Sequence, residues 1–252
     1  MGSAVLILRS DGCNLAVTAG HVLDHVTPLP LLTLGTPESG LVQLSYSTAV
    51  TSQPGRPNRQ HDSVDLAAFA LDSTTTDRLL AKGVSFFPEK NIRHDWSAAG
   101  IYVAVAFPHS RNAVKRRKNP NDPTKRPFGR YVIPNSAVFA PCTAAPDDQY
   151  GTVAADLELN FVVAFRHQQV RDTEGNVYPH PRGMSGGAIY RIGTNDTLTK
   201  ANEIQLVAIG TEYHEKKGLL VAASAPALRR IALAVERVGS SAIGDRADST
   251  GC

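Results

Sequence analysis

Gly183-Met184-Ser185-Gly186-Gly187, followed at once by the apolar Ala188-Ile189-Tyr190, is the stretch on which the reading of this chain turns. A serine set among glycines can present its hydroxyl at a tight turn while neighbouring amides converge on one point. The amides of Gly183 and Ser185 are then candidates for holding the negative oxygen of a tetrahedral intermediate. A serine hydroxyl alone is a weak nucleophile. It needs a base within hydrogen-bond reach and a third group that orients the base.

Working outward, the candidate base is His21 in Val17-Thr18-Ala19-Gly20-His21-Val22, where a short apolar strand runs into a small-residue turn ending in histidine. The candidate orienting acid is Asp65 in Ser63-Val64-Asp65-Leu66-Ala67. Asp62 competes with it, and Asp65 is preferred because Leu66, Ala67, Ala68 and Phe69 continue as a buried strand. Each motif is commonplace alone. Their order, His then Asp then Ser, carries the information.

The same alternation of short apolar runs and turn formers extends through the first two-thirds of the chain. Ala4 to Leu8, Leu15 to Thr18, Leu41 to Ser45, Asp65 to Leu71, Ile101 to Phe107, Phe161 to Phe165, Ala188 to Tyr190 and Leu206 to Ile209 read as strands. The pattern is all-β, of the sandwich or barrel type. A single long helix is expected from Ser224, an N-cap, through Pro226 in the first turn. Leu228, Ile231, Val235 and Val238 share its apolar face, and Gly239 is expected to stop it. Weaker helical turns are expected after Thr18 and within Thr76 to Lys82.

With these motifs in place, the chain resembles the trypsin-like, or chymotrypsin-fold, serine peptidases, whose motifs T-A-[AG]-H, D-[LI]-A and G-x-S-G-G occur in this order. The resemblance covers about residues 3 to 238 and is strongest to cysteine-poor bacterial members such as the high-temperature-requirement proteases. The separation from His21 to Asp65 is 44 residues, close to the family habit, and that from Asp65 to Ser185 is 120, longer than usual. The resemblance implies two antiparallel six-stranded β-barrels with a C-terminal helix. A first barrel, residues 1–85, would carry His21 and Asp65. A second, residues 95–238, would carry Ser185, and residues 239–252 would form a flexible tail. It also implies roles: Ser185 as nucleophile, His21 as base and then acid, Asp65 as orienting carboxylate, and Gly183 with Ser185 as the oxyanion hole. The strand Leu206 to Thr211 would pair with a bound substrate backbone. Pocket walls would come from Tyr178 to Arg182 and from Gly210 to Tyr213, making His180, Arg182, Gly210, Thr211 and Glu212 the substrate-binding candidates. Glu212 would favour a basic side chain before the cut bond, and His180 or Arg182 an acidic one.

Three departures qualify the resemblance. Met184 stands where secreted digestive members carry the Asp that pairs with a freshly cut N-terminus. Few residues precede the strand at Ala4, which leaves room for a first barrel short of its N-terminal strand, with an edge open to a partner. No cysteine follows His21, so the disulfide that commonly closes that loop is absent.

Composition sets further bounds. The 252 residues are 42% hydrophobic and 19% charged, a globular balance that excludes a disordered chain. Ala4 to Leu8 is too short to cross a bilayer and lacks the flanks of a signal peptide, so no membrane partner is expected. Three cysteines, none in a C-x-x-C pair, favour a reducing, cytoplasmic setting. The net charge of +3 hides a local +7 between Ser110 and Arg130, a Pro-interrupted loop over residues 110–130. This loop is the one place where a nucleic acid or other polyanion would find phosphate contacts. His21 and His25 stand four apart, but without the glutamate of H-E-x-x-H, and no metal or cofactor is expected. His61, His94, His109, His167 and His214 are expected on the surface.

Two classes of function follow. One is a serine endopeptidase, with a protein or peptide substrate, acting through an acyl-enzyme. The other is a protease-fold module, inactive alone or switched on by an activating protein partner, that binds a peptide or polyanion.

Overall fold

The computed structural model describes residues 2–24, 32–36, 40–52, 62–93, 96, 99–108, 137–171, 175, 177–194, 197–200 and 203–247. The first half of the chain folds into β1 (Val5–Leu8), β2 (Leu15–Ala19), β3 (Thr33–Gly35), β4 (Leu41–Gln43), β5 (Tyr46–Thr51) and β6 (Leu66–Leu71). Helix α1 (Ser73–Ala81) follows, capped by the Asp72 carboxylate on the Thr75 amide, and then β7 (Phe87–Pro88). In the second half lie β8 (Gly100–Ala106), β9 (Val138–Ala144), β10 (Asn160–Ala164), β11 (Ala188–Thr194) and β12 (Thr197–Leu198). The series ends with β13 (Gln205–His214), β14 (Leu219–Ser224) and helix α2 (Ala225–Ala247).

Strands β5-β6-β2-β1-β7 form one sheet in that order, with the β3–β4 hairpin beside it. All six residues of β6 are buried because both faces of the sheet are covered. Leu66 and Ala68 point into the cluster shared with α2, while Ala67, Phe69 and Leu71 point the other way, toward Val42 and Leu79. Strand β1 lies between β2 and the parallel β7, which pairs with Ile7 and Leu8. Strand β1 is thus paired on both sides at Ile7. The second sheet runs β12-β11-β13-β14-β10-β9-β8 and closes on itself through β11 and β8, giving a six-stranded barrel with β12 as an extension. Tyr102, Phe161, Phe165 and Val207 fill its interior. The second half thus closes into the expected six-stranded barrel, whereas the first, expected as a six-stranded barrel, is a five-stranded sheet with the β3–β4 hairpin beside it.

Two local expectations are corrected. The long helix does not stop near Gly239 but continues to Ala247. A mid-helix glycine costs only about 1 kcal/mol relative to alanine, and no proline follows it. Of its expected apolar face, Leu228, Ile231 and Val235 are buried but Val238 is exposed. The basic segment 110–130 and residues 248–252 lie outside the described residues.

Candidate active site

The strand β2 ends at Ala19, and Gly20–Val22 form a single 3-10 turn that turns His21 out of the sheet. Its neighbour in the sheet is β6, paired antiparallel so that Ala19 lies opposite Leu66. Asp65, the residue just before Leu66, therefore arrives beside His21. Three contacts lock the pair. The His21 amide donates to Asp65 Oδ1 at 2.9 Å, His21 Nδ1 lies 2.5 Å from Asp65 Oδ2, and the Gly20 amide donates to the Asp65 carbonyl at 2.7 Å. Asp65 achieves this with φ at +43°, a left-handed conformation that aspartate tolerates better than most residues. The competing acid, Asp62, is engaged elsewhere. It accepts from the Ser52 hydroxyl at 2.5 Å and the Val64 amide at 3.1 Å, shaping the turn that leads to Asp65.

Ser185 sits at the centre of two successive turns. The Met184 amide donates to Pro181 O and the Gly187 amide to Met184 O, both at 2.8 Å. Gly183 and Gly186 occupy the third position of each turn with φ of +87° and +86°, as type II turns require. Space imposes glycine as well, since a Cβ on Gly186 would lie 1.9 Å from the Ser3 carbonyl oxygen. The turn is also tied to β13, with the Gly186 amide donating to Gly210 O and the Gly210 amide to Gly187 O, each at 2.8 Å. Met184 is buried in the second-barrel core.

The chain segment ahead of β1 joins the two halves of the site. The Ser3 amide donates to Ser185 O at 2.8 Å, and the Ser3 carbonyl accepts from Thr18 Oγ1 at 2.7 Å. The Phe107 amide donates to Ser3 Oγ at 2.9 Å. Gly2 fits between Val22 and the Ser185 carbonyl, where a Cβ would meet them at 2.6 and 3.1 Å. Fully buried Asn160, on β10, donates to Ser63 O at 2.5 Å and so holds the Asp65 loop against the second barrel. Sequence reasoning missed Ser3 and Asn160. Neither sits in a motif, and their roles exist only once the lobes meet.

The amides of Gly183 and Ser185 and the Ser185 hydroxyl make no hydrogen bond to the described residues. The His21 side chain is 40% exposed and that of Asp65 only 12%. Of the substrate-binding candidates, Gly210 lies beside the Ser185 turn, and buried Thr211 donates to Val221 O at 3.2 Å. Exposed Glu212 lies 3.4 Å from His214 Nε2, and Arg182 is exposed. His180 accepts the Arg182 amide at Nδ1. The expectation that His167 is a surface residue is corrected. It is buried, because the loop after β10 folds it against His180 and Tyr213. Burial pushes the Cys142 thiol up to about 12. Among the described residues no group of three His, Cys, Asp or Glu side chains is placed to hold a metal ion. No helix among them is long and apolar enough to cross a membrane.

The chain has the two-barrel chymotrypsin fold, the fold of the trypsin-like serine peptidases. Solved structures with this arrangement include human heparin binding protein, 14% identical over 93% of this chain and 85% of that one, with a TM-score of 0.50. Another is the HtrA-type protease AlgW with a decapeptide, 16% identical with a TM-score of 0.52, the match covering 94% of this chain and 52% of that one. No family model and no curated protein sequence matches the chain.

Proposed function

We propose that this chain is a serine endopeptidase working through an acyl-enzyme. The observation that carries the reading is the double grip of the Asp65 carboxylate on the His21 backbone and Nδ1, beside a serine turn built from two glycines with positive φ. Ser185 Oγ attacks the scissile carbonyl carbon as its proton passes to His21 Nε2. Asp65 accepts the Nδ1–H, which fixes the tautomer and stabilises the imidazolium. The negative oxygen formed from the carbonyl takes hydrogen bonds from the Gly183 and Ser185 amides, which have no acceptor among the described residues. Collapse breaks the C–N bond, with His21 returning the proton to the departing amine. Water then repeats the sequence on the ester and frees Ser185. Among the described residues Cys13 and Cys142 are free thiols, which supports a reducing compartment.

One observation favours the second reading, a binding module inactive alone or completed by a partner. Ser185 Oγ makes no hydrogen bond to His21. Such contacts tighten in many enzymes only when substrate binds. A fluorophosphonate probe separates the two. The wild type is expected to be labelled on Ser185, and Ser185→Ala not at all. Asp65→Asn should keep its thermal midpoint yet lose about 10⁴-fold in kcat, because an amide cannot accept both His21 donors. A folded wild type that resists the probe would favour the binding module.

A further inference from the structure

We propose that His167, His180 and Tyr213 form the pocket for the substrate side chain before the cut bond, and that they select one ending in a carboxylate or carboxamide. The proposal rests on the serine peptidase reading. Placement comes first. His180 is five residues ahead of Ser185 on the same segment, joined to it through the Pro181–Met184 turn. Tyr213 is three residues beyond Gly210, whose backbone brackets the Ser185 turn, so it lies about 10 Å along β13 from that bracket. The Tyr178 amide donates to Val170 O, which draws the loop carrying His167 against the segment carrying His180.

The three rings meet edge to face. The centroids of His167 and His180 are 5.0 Å apart, those of His167 and Tyr213 5.9 Å, and those of His180 and Tyr213 6.1 Å. Their hydrogen bonds decide which atoms they offer. The Arg182 amide donates to His180 Nδ1 at 3.1 Å, so the His180 proton resides on Nε2. His167 Nδ1 lies 3.1 Å from Tyr213 Oη. Burial, with Glu215, pushes the Tyr213 phenol up, so it keeps its proton; when that proton is donated to Nδ1, the His167 proton resides on Nε2 as well. The cluster therefore presents ring N–H donors, which match the sp² oxygen of a carboxylate or carboxamide.

The surrounding charges agree. Glu212, the residue expected to attract a basic side chain, shares a strand face with His214, 3.4 Å away, and not with Tyr213. Glu215 reaches the cluster from its rim. Its side chain is 58% exposed, and its carboxylate lies 3.5 Å from His180 Nε2. A carboxylate thus already tests this donor in the resting chain, and an arriving one would displace it.

Four peptides differing only in Glu, Gln, Lys or Leu before the cut bond provide the test. For the wild type, kcat/KM is expected to be about tenfold or more higher for Glu and Gln than for Lys and Leu, the scale of one charge-assisted hydrogen bond. His180→Ala should erase the difference, Tyr213→Phe should shrink it, and Glu215→Gln should enlarge it for Glu alone. Preference is read within each variant as the ratio of kcat/KM for Glu or Gln to that for Leu, so a general loss of reactivity at Ser185 cancels. A preference for Lys, or one for Glu that survives both ring substitutions, would overturn the pocket while leaving the peptidase reading intact. Should the wild type resist labelling, the peptidase reading fails, and the pocket is tested by binding. Acetylated peptides ending in Glu, Gln or Lys are titrated into Ser185→Ala while the His167 and His180 ring resonances are followed. Equal response to Lys, or none to Glu and Gln, would overturn the proposal.

Discussion

The proton on His167 is disfavoured first by burial and next by the neighbouring His180, with Glu215 acting in the opposite sense. A base whose folded pKa lies below its unfolded value of about 6.5 binds fewer protons when folded than when unfolded. Its contribution to stability is therefore complete above about pH 6.5 and is lost as pH falls through the lowered value. Chemical denaturation between pH 7.5 and pH 5 should show the wild type weakening by up to about 1.4 kcal/mol per pH unit from this group. His167→Gln should weaken less over that window, with His180→Gln measured alongside because His180 and Glu215 face the same ring. Identical slopes in the wild type and His167→Gln would assign the titration to another group. Nothing in the sequence singles out His167. It lies 13 residues from His180 and 46 from Tyr213, and no periodicity links positions brought together by the folding of a loop.

The turn around Ser185 was legible because its requirements are local. Glycine at both positive-φ positions is a property of the turn itself, and the apolar run after it is a property of β11. A substitution can separate the two demands on Gly186, those of φ and of space. Gly12 has a similar φ of +79° but open surroundings, whereas Gly186 faces the Ser3 carbonyl as well. Gly12→Ala is expected to cost about 1 kcal/mol, the left-handed penalty alone. Gly186→Ala should cost about 3 kcal/mol or more and misplace Ser185, read as a lower urea midpoint with lost probe labelling. Equal costs would mean that the Ser3 contact yields freely. Other elements were legible in proportion to how local their causes are. Strand β6 is an unbroken apolar run, whereas β5 (Tyr46–Thr51) mixes Ser47, Thr48 and Thr51 with apolar residues and reads as loop. Strand β14, Leu219–Ser224, runs without a break into α2, so its apolar residues merge with the helical pattern. Strand β9 carries Pro141, which argues against a strand until its partners β8 and β10 are known.

Across the whole molecule, one apolar cluster joins Leu66 and Ala68 of the first lobe, Leu206 and Ile209 of the second, and Leu228, Ile231 and Val235 of α2. The two lobes that carry His21 and Ser185 thus share a core with α2. Arg9 tightens that junction. Its side chain is 8% exposed, yet its guanidinium reaches Asp11 at 3.0 Å, Glu89 at 3.7 Å and Glu236 of α2, with which it also hydrogen-bonds. Burial alone would lower its pKa, but these carboxylates outweigh burial and raise it. Removing the cation leaves three carboxylates facing one another at the seam between β1, the turn after β7 and α2. Arg9→Met, which keeps the apolar stem, should therefore cost about 2 kcal/mol in denaturation at pH 7, between the values for exposed and buried pairs. The deficit should shrink below about pH 4, where the carboxylates accept protons. Glu236→Gln should cost less, because Asp11 and Glu89 still balance the guanidinium. A loss in Arg9→Met that is equal at pH 7 and pH 4 would mean that the stem's packing, not the charge, holds α2 against the first lobe.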